Sequence, residues 1–355
     1  LENSLKNPEI LERSCKWLPV YEMPIPIEAS DPLLPWAAKL GFATAVSIEI
    51  KPGAESILKE ALAELQPYTF LFLRNARRIS VYAENTQESR PNRIVEFVRA
   101  IPSSEKTGAI RKGKIEVVYY DRQTWTDICG KERGDLEGGS QKWWFYKKPL
   151  SSQELKDALT ALPERWHQIR RVEVEIAVPI DGIDDGNSEG RFSIYLPTLA
   201  KTGTGAWVNA PFYGSIDRKS IEWGREWNSY LLRHAVSCVG DMVYLLRRSK
   251  EVESGQAILH LLGIIDQEQA MATAQISSDC IQHIIKEQDW VLCEPNSKDE
   301  LSYKQLSEIT LPKDLDWKFK PVEPMMDIVC REQIPLILPH PLLTESRQAI
   351  IENTA

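Results

Sequence analysis

No stretch of this chain stays apolar for the roughly 18–20 residues a membrane-spanning helix needs, and no signal-peptide pattern is visible. The six cysteines, Cys15, Cys129, Cys238, Cys280, Cys293 and Cys330, are widely spaced and form no C-x-x-C pair. They read as reduced, mostly buried thiols of a cytoplasmic protein. The five histidines are scattered and no H-E-x-x-H occurs, so a zinc hydrolase has no support and no metal site is expected. No Ser-His-Asp arrangement can be assembled for an independent hydrolase. A basic excess is also missing: 43 Lys and Arg face 51 Asp and Glu, for a net charge of −8. That balance argues against nucleic acid as a direct ligand. There is no strict internal repeat and no sustained low-complexity segment.

What is there is the composition of a folded globular protein. Of 355 residues, 43% are hydrophobic and 26% charged. The length predicts two or three domains. The first residue is Leu1 rather than Met, which suggests a piece of a longer polypeptide.

Prolines crowd "PVYEMPIPIEASDPLLPW", so an extended surface connection is expected there. "GFATAVSIEIK" then reads as a strand. In "PGAESILKEALAELQPY", Ile57, Leu58, Ala61, Leu62 and Leu65 form an apolar helical stripe that Pro67 stops. "TFLFL", "RRISVYAE", "RIVEFVRAI" and "GKIEVVYYD" predict an antiparallel sheet with one wet face. "CGKERGDLEGGSQ" reads as a polar loop. In "KWWFYKK", four consecutive aromatics on a strand must point both ways, which predicts a sheet covered on both faces. "SSQELKDALTALPERW" begins a helix at Ser151 or Ser152.

"RRVEVEIAVPI" alternates, with Val172, Val174, Ile176 and Val178 on one face. "RFSIYLPT" and "GAWVNAPFYG" are further strands. A long helix is expected from about Arg218 to Arg248, with Trp223, Trp227, Leu231, His234, Cys238, Met242 and Leu245 on its buried face. The Trp rings would anchor it to the sheet, and Asn228 would bond nearby backbone. Farther on, one broken helix or two, a short strand "DWVLCEP", a helix or turn "SYKQLSEITLP", and a final strand, proline corner and helix are expected.

Two resemblances to ligand loops fail on inspection. "GAIRKGKI" resembles a phosphate loop, but Ile115 stands where Ser or Thr should hold Mg²⁺, and a strand follows instead of a helix. "DGIDDGNSEG" misses the calcium-loop register, with Ile183 at a ligand position and Phe192 where the bidentate Glu belongs.

The polar turn "GSIDRKS" carries more. Ser215 or Asp217 suits a helix N-cap. Arg218 and Lys219 in a first helical turn would oppose the macrodipole, which raises the question of which anion faces them. The segment "FSIYLPTLAKTGTGAWVNAPFYGSIDRKSI", with the "WN" after it, resembles the region following the ATPase lobe in sacsin-like and no-vein-like proteins. These are relatives of the heat-shock chaperones in the GHKL ATPase superfamily. The matching residues are Leu196-Pro197-Thr198, Asn209-Ala210-Pro211-Phe212, Arg218 and Trp227-Asn228. "GFATAVSIEIKPGAESILKEALAELQPYTFLFLRNARRISV", "DWVLCEP" and "IPLILPHPLL" are similar to parts of the same family.

The resemblance implies an α/β (α+β) chain in three parts: the end of a GHKL ATPase lobe over 1–52, an α/β middle domain of mixed sheet with packed helices over 53–250, and a smaller C-terminal α/β domain over 251–355. It implies ATP and Mg²⁺ held by a lobe whose motifs this chain lacks. It makes Arg218 the catalytic cation that meets the nucleotide phosphate, with Lys219 its substitute and Asn209, Ser215 and Arg218 the nucleotide-contacting set. The expected partner is a protein client or complex subunit, with homo-oligomers possible. The competing expectation is a protein–protein scaffold of a bacterial defence or nucleic-acid-handling complex without nucleotide chemistry. That scaffold would expose a large aromatic or apolar patch, for which Trp143–Tyr146 is one candidate place.

Overall fold

Four consecutive aromatics organise the architecture. The computed structural model describes residues 53, 55–63, 65–73, 76–83, 91–101, 108–129, 139–150, 153–167, 169, 172–180, 189–215, 218–249, 251–262, 289, 291–293 and 302–305. Trp143, Trp144, Phe145 and Tyr146 lie on β4 (Gly139–Leu150), and all four are buried. A strand turns successive side chains to opposite faces, so both faces of the sheet must be covered. They are: Trp144 and Tyr146 enter one hydrophobic core, Trp143 and Phe145 another. The expected exposed aromatic patch therefore does not exist at this strand.

The other strands are β1 (Arg78–Ala83), β2 (Asn92–Ala100), β3 (Arg111–Tyr119), β5 (Val172–Pro179), β6 (Arg191–Ile194), β7 (Leu196–Lys201) and β8 (Trp207–Asn209). Their order is β1-β2-β3-β4-β5-β8-β6-β7, an eight-stranded sheet. Every neighbouring pair is antiparallel except β6 and β8, which run parallel. The described chain is thus mixed α/β. "GAIRKGKI" runs directly into β3, as the rejection of a phosphate loop requires.

On β5 the alternation holds residue by residue. Val172, Val174, Ile176 and Val178 enter the first core, while Ala177 enters the second. Each such side chain contributes about 1.5–3 kcal/mol by leaving water. The first core is covered by α3 (Gln153–Thr160), α4 (Glu226–Ser249) and α5 (Val252–Leu262). α5 lies beyond residue 250, yet Ala257, Ile258, Leu259, Leu261 and Leu262 pack in the same core as α4. The second core is covered by a 3-10 turn (Pro67–Phe70) and by Trp125 of α2 (Arg122–Cys129), a helix the sequence pattern did not suggest.

Several local expectations are corrected. "TFLFL" is not a strand: Phe70, Leu71 and Phe72 are all buried in succession, which a half-wet strand cannot do, and the 3-10 turn allows it. In α1 (Glu55–Ala63), Ile57 and Leu58 are exposed, and only Leu62 and Ala63 of that helix pack against the second core. "SYK" is β10 (Ser302–Lys304), paired with β9 (Val291–Cys293), not a helix or turn. Residues 1–52, the loop at 181–188 and the C-terminal strand and helix lie outside the described residues. By contacts the chain divides into two units, 1–57 with 84–91, and 58–83 with 92–355. The sheet and both cores belong to the second unit. Among the described residues, no helix is long and apolar enough to cross a membrane.

Polar ties fix α4 on the sheet. Asp241 accepts hydrogen bonds from the Tyr146 hydroxyl at 3.0 Å and from Lys148 Nζ at 2.7 Å. Burial, reinforced by the Asp241 charge, raises the Tyr146 phenol well above its usual range and keeps it a donor. Cys238, on the buried face of α4, is a free thiol with no exposure, and burial pushes it up to about 12. At pH 8 its thiolate population is then about 10³-fold below that of an ordinary cysteine. Native Cys238 should resist iodoacetamide at that pH and react only on unfolding, as peptide mass spectrometry would report. Rapid native alkylation would contradict this burial.

Candidate functional site

The long helix does not begin at Arg218. It begins at Glu226, and the residues before it form a closed turn. Gly214 and Ile221 make an antiparallel bridge, Glu222 N–H donates to Tyr213 C=O at 3.1 Å, and Ser215 N–H donates to Ser220 C=O at 3.0 Å. Ser220 N–H donates back to Ser215 Oγ at 3.1 Å, and Arg218 N–H to Ser215 C=O at 2.9 Å. Arg218 and Lys219 are not in a helical turn, so no helix macrodipole opposes their charge. Ser215 is not a helix cap; its hydroxyl closes the turn.

The Arg218 turn is set apart by its backbone conformation. Among the described residues, only Tyr195 and Arg218 are non-glycines with positive φ, at 67° and 57°. Such values are uncommon outside glycine and persist where surrounding bonds over-determine them. An asparagine side chain bonds Tyr195 directly, and another bonds the residues that flank the Arg218 turn. Asn209, buried on β8, accepts the Tyr195 N–H at 2.8 Å through Oδ1. Asn228, fully buried on α4, accepts the Tyr213 N–H at 2.8 Å, and its Nδ2 donates to the carbonyls of Tyr213 and Glu222, each at 2.8 Å. One side chain thus grips both legs of the Arg218 turn.

The motif residues converge here. Trp227 Nε1–H donates to Pro211 C=O at 2.9 Å, so the "WN" pair holds Asn209-Ala210-Pro211-Phe212 at Pro211 and again just beyond it at Tyr213. Thr198 Oγ donates to Phe192 C=O at 2.8 Å. Leu199 N–H of β7 donates to Lys219 C=O at 2.8 Å. β7 ends the sheet order, so the turn caps an edge donor that would otherwise invite a foreign strand. Phe192, Phe212 and Trp223 pack edge to face beneath it, with centroids 4.9–5.7 Å apart. Beside the turn, the Arg225 guanidinium lies 4.1 Å from the Tyr213 ring centroid and donates to Glu222 at 2.6 Å.

The expected site residues are therefore partly brought together. Ser215, Arg218 and Lys219 share one turn, with Arg218 and Lys219 exposed. Asn209 sits in the interior, and its amide oxygen serves the Tyr195 backbone. Asn228 and Tyr195 take structural parts in the same constellation. The "WN" motif signalled the first; no local pattern signals an aromatic residue at positive φ. Among the described residues, no ion pair holds the Arg218 guanidinium and no group of three or more His, Cys, Asp or Glu could hold a metal. Chemically, the arrangement presents a cation on a rigid backbone to whatever anion approaches; it contains no nucleophile with a base.

Comparison with protein-family models, with characterised proteins and with solved structures finds no match to this chain.

Proposed function

We propose that this chain is the non-catalytic coupling region of a sacsin-like, heat-shock-chaperone-like GHKL ATP-binding protein. Arg218 supplies a cation to the phosphate of a nucleotide held by a separate lobe, with Lys219 beside it. The observation that carries this reading is the Arg218 turn: an exposed guanidinium on a backbone held at φ 57°, clamped by a buried asparagine. A cation fixed in advance stabilises charge that develops on a phosphoryl group without reorganising at the moment of reaction. In this reading Mg²⁺ and the nucleotide are held by the other lobe. Docking of that lobe would engage Arg218 and link nucleotide state to a protein client or complex subunit. The resemblance in "LPT", "NAPF" and "WN" supports the same assignment. Trp143 to Tyr146 are buried, so the competing scaffold reading would need its exposed patch elsewhere.

In the full-length polypeptide that contains this chain, Arg218→Ala should lower ATP turnover by about 10²–10³-fold with nucleotide affinity retained. Steady-state ATPase assays and nucleotide titration measure both. Turnover within twofold of the parent, with nucleotide still bound, would remove Arg218 from this role.

A further inference from the structure

We infer that Asn228 is the positioning residue of the Arg218 turn, and that through it the first turn of α4 and the Arg218 turn move as one body. The inference rests on the reading of Arg218 given above only for its consequence in turnover; the mechanical coupling stands on its own bonds.

The geometry is specific to this residue. Asn228 has no exposed surface, and both functional ends of its amide are spent on one turn. Oδ1 accepts from Tyr213 N–H, while Nδ2 donates to Tyr213 C=O and Glu222 C=O. Tyr213 and Glu222 are the two residues that flank the Gly214–Ile221 bridge. A single side chain thus closes the neck of the loop that carries Arg218. Asn228 is itself fixed: its backbone N–H donates to Arg225 C=O at 3.0 Å, and the neighbouring Trp227 ring is pinned to Pro211. The close approach across the neck also needs Gly214, where a Cβ would meet Ser220 C=O at 2.6 Å.

Without Asn228, Tyr213 N–H loses its partner, and the carbonyls of Tyr213 and Glu222 each lose one of two donors, keeping those from Glu222 N–H and Arg225 N–H. The turn keeps its own cross-strand bonds but loses the tie that sets its angle to α4. A shift of α4 is then no longer transmitted to Arg218. The residue does not touch substrate; it acts through the turn.

The test is amide hydrogen exchange by NMR on this chain, with ATP turnover of the full-length polypeptide as second readout. In Asn228→Ser and Asn228→Ala, the Ser215 and Ser220 amides should exchange about tenfold faster or more, as expected for the loss of one to two hydrogen bonds. Mid-helix amides from Val236 to Val239 should keep their protection. Trp227→Phe, which removes the bond to Pro211 and part of the ring but none of the Asn228 bonds, should leave the turn amides unchanged. Full-length Asn228→Ser should lose turnover at least tenfold while the KM for ATP holds. In the unsubstituted chain, the Asn228 side-chain amide protons should exchange at the opening rate of Ser215 and Ser220, a measurement that needs no variant to fold. A uniform rise across α4, unchanged turn amides, or an Asn228 amide that opens independently of the turn would each overturn the inference. If Arg218→Ala leaves turnover intact, the proposed function fails, while the exchange data still decide the coupling.

Discussion

Trp227→Ala should cost about 3–5 kcal/mol of unfolding free energy, the range for deleting a fully buried aromatic. Trp227 has no exposed surface and sits where α4 meets the sheet's first core. Its ring stacks with Tyr230 at 6.1 Å between centroids, and its indole N–H donates to Pro211 C=O. The substitution removes the ring volume, opens a cavity under α4, and orphans a carbonyl in the segment that leads to the Arg218 turn. Urea unfolding followed by fluorescence and circular dichroism measures the loss. Trp227→Phe should recover most of the packing and retain only the deficit of the lost hydrogen bond, about 1 kcal/mol. A Trp227→Ala loss below about 1 kcal/mol would mean that α4 is not anchored at this point.

Gly190→Ala should cost about 2–4 kcal/mol, from overpacking together with weakened hydrogen bonds. The cause is not glycine's dihedral freedom, because Gly190 is not among the residues with positive φ. A Cβ there would lie 1.8 Å from Ala206 C=O oxygen and 2.9 Å from Thr202 Oγ. Backbone would have to separate, and the bonds from Gly190 N–H to Thr204 C=O and from Thr202 N–H to Gly190 C=O would stretch with it. These bonds tie the start of β6 to the segment before β8, so the register of the sheet's far end depends on them. Gly224→Ala is the control: an added methyl meets nothing within 4 Å, and stability should change by no more than about 0.5 kcal/mol. Equal stability of the two variants would show that the Gly190 contact relaxes without cost.

Long elements with a clear period were legible. The alternation in "RRVEVEIAVPI" matches β5 side chain by side chain, and the aromatic run on β4 required a sheet covered on both faces, which is what forms. Trp227 and Asn228 were legible as anchors of the long helix. Shorter segments were not. "TFLFL" has strand composition, but Pro67 and the Gln66–Thr69 capping bonds favour a 3-10 turn ending at Phe70, after which the turn residues Leu71 and Phe72 are also buried. The eight residues of α2 carry too weak a pattern to stand out beside a Gly-rich loop.

The Arg218 turn divides the two kinds of information most clearly. The sequence by itself determined that Ser215, Arg218 and Lys219 would share a polar turn between a strand and a helix, because glycine, serine and charged residues there exclude a buried element. It also determined that Trp227, Leu231, Cys238 and Met242 would be buried on the long helix and that Val172, Val174, Ile176 and Val178 would share one face of β5, since periodicity is local to each element. Only tertiary structure decided that the helix waits until Glu226. The bonds that hold the turn come from Leu199 on β7 and Asn228 on α4, and the interior places Asn209 under Tyr195. The turn's own bonds among Ser215, Arg218 and Ser220 are local, but the ties from Leu199 and Asn228 that hold it against the sheet edge and α4 lie outside it in the sequence.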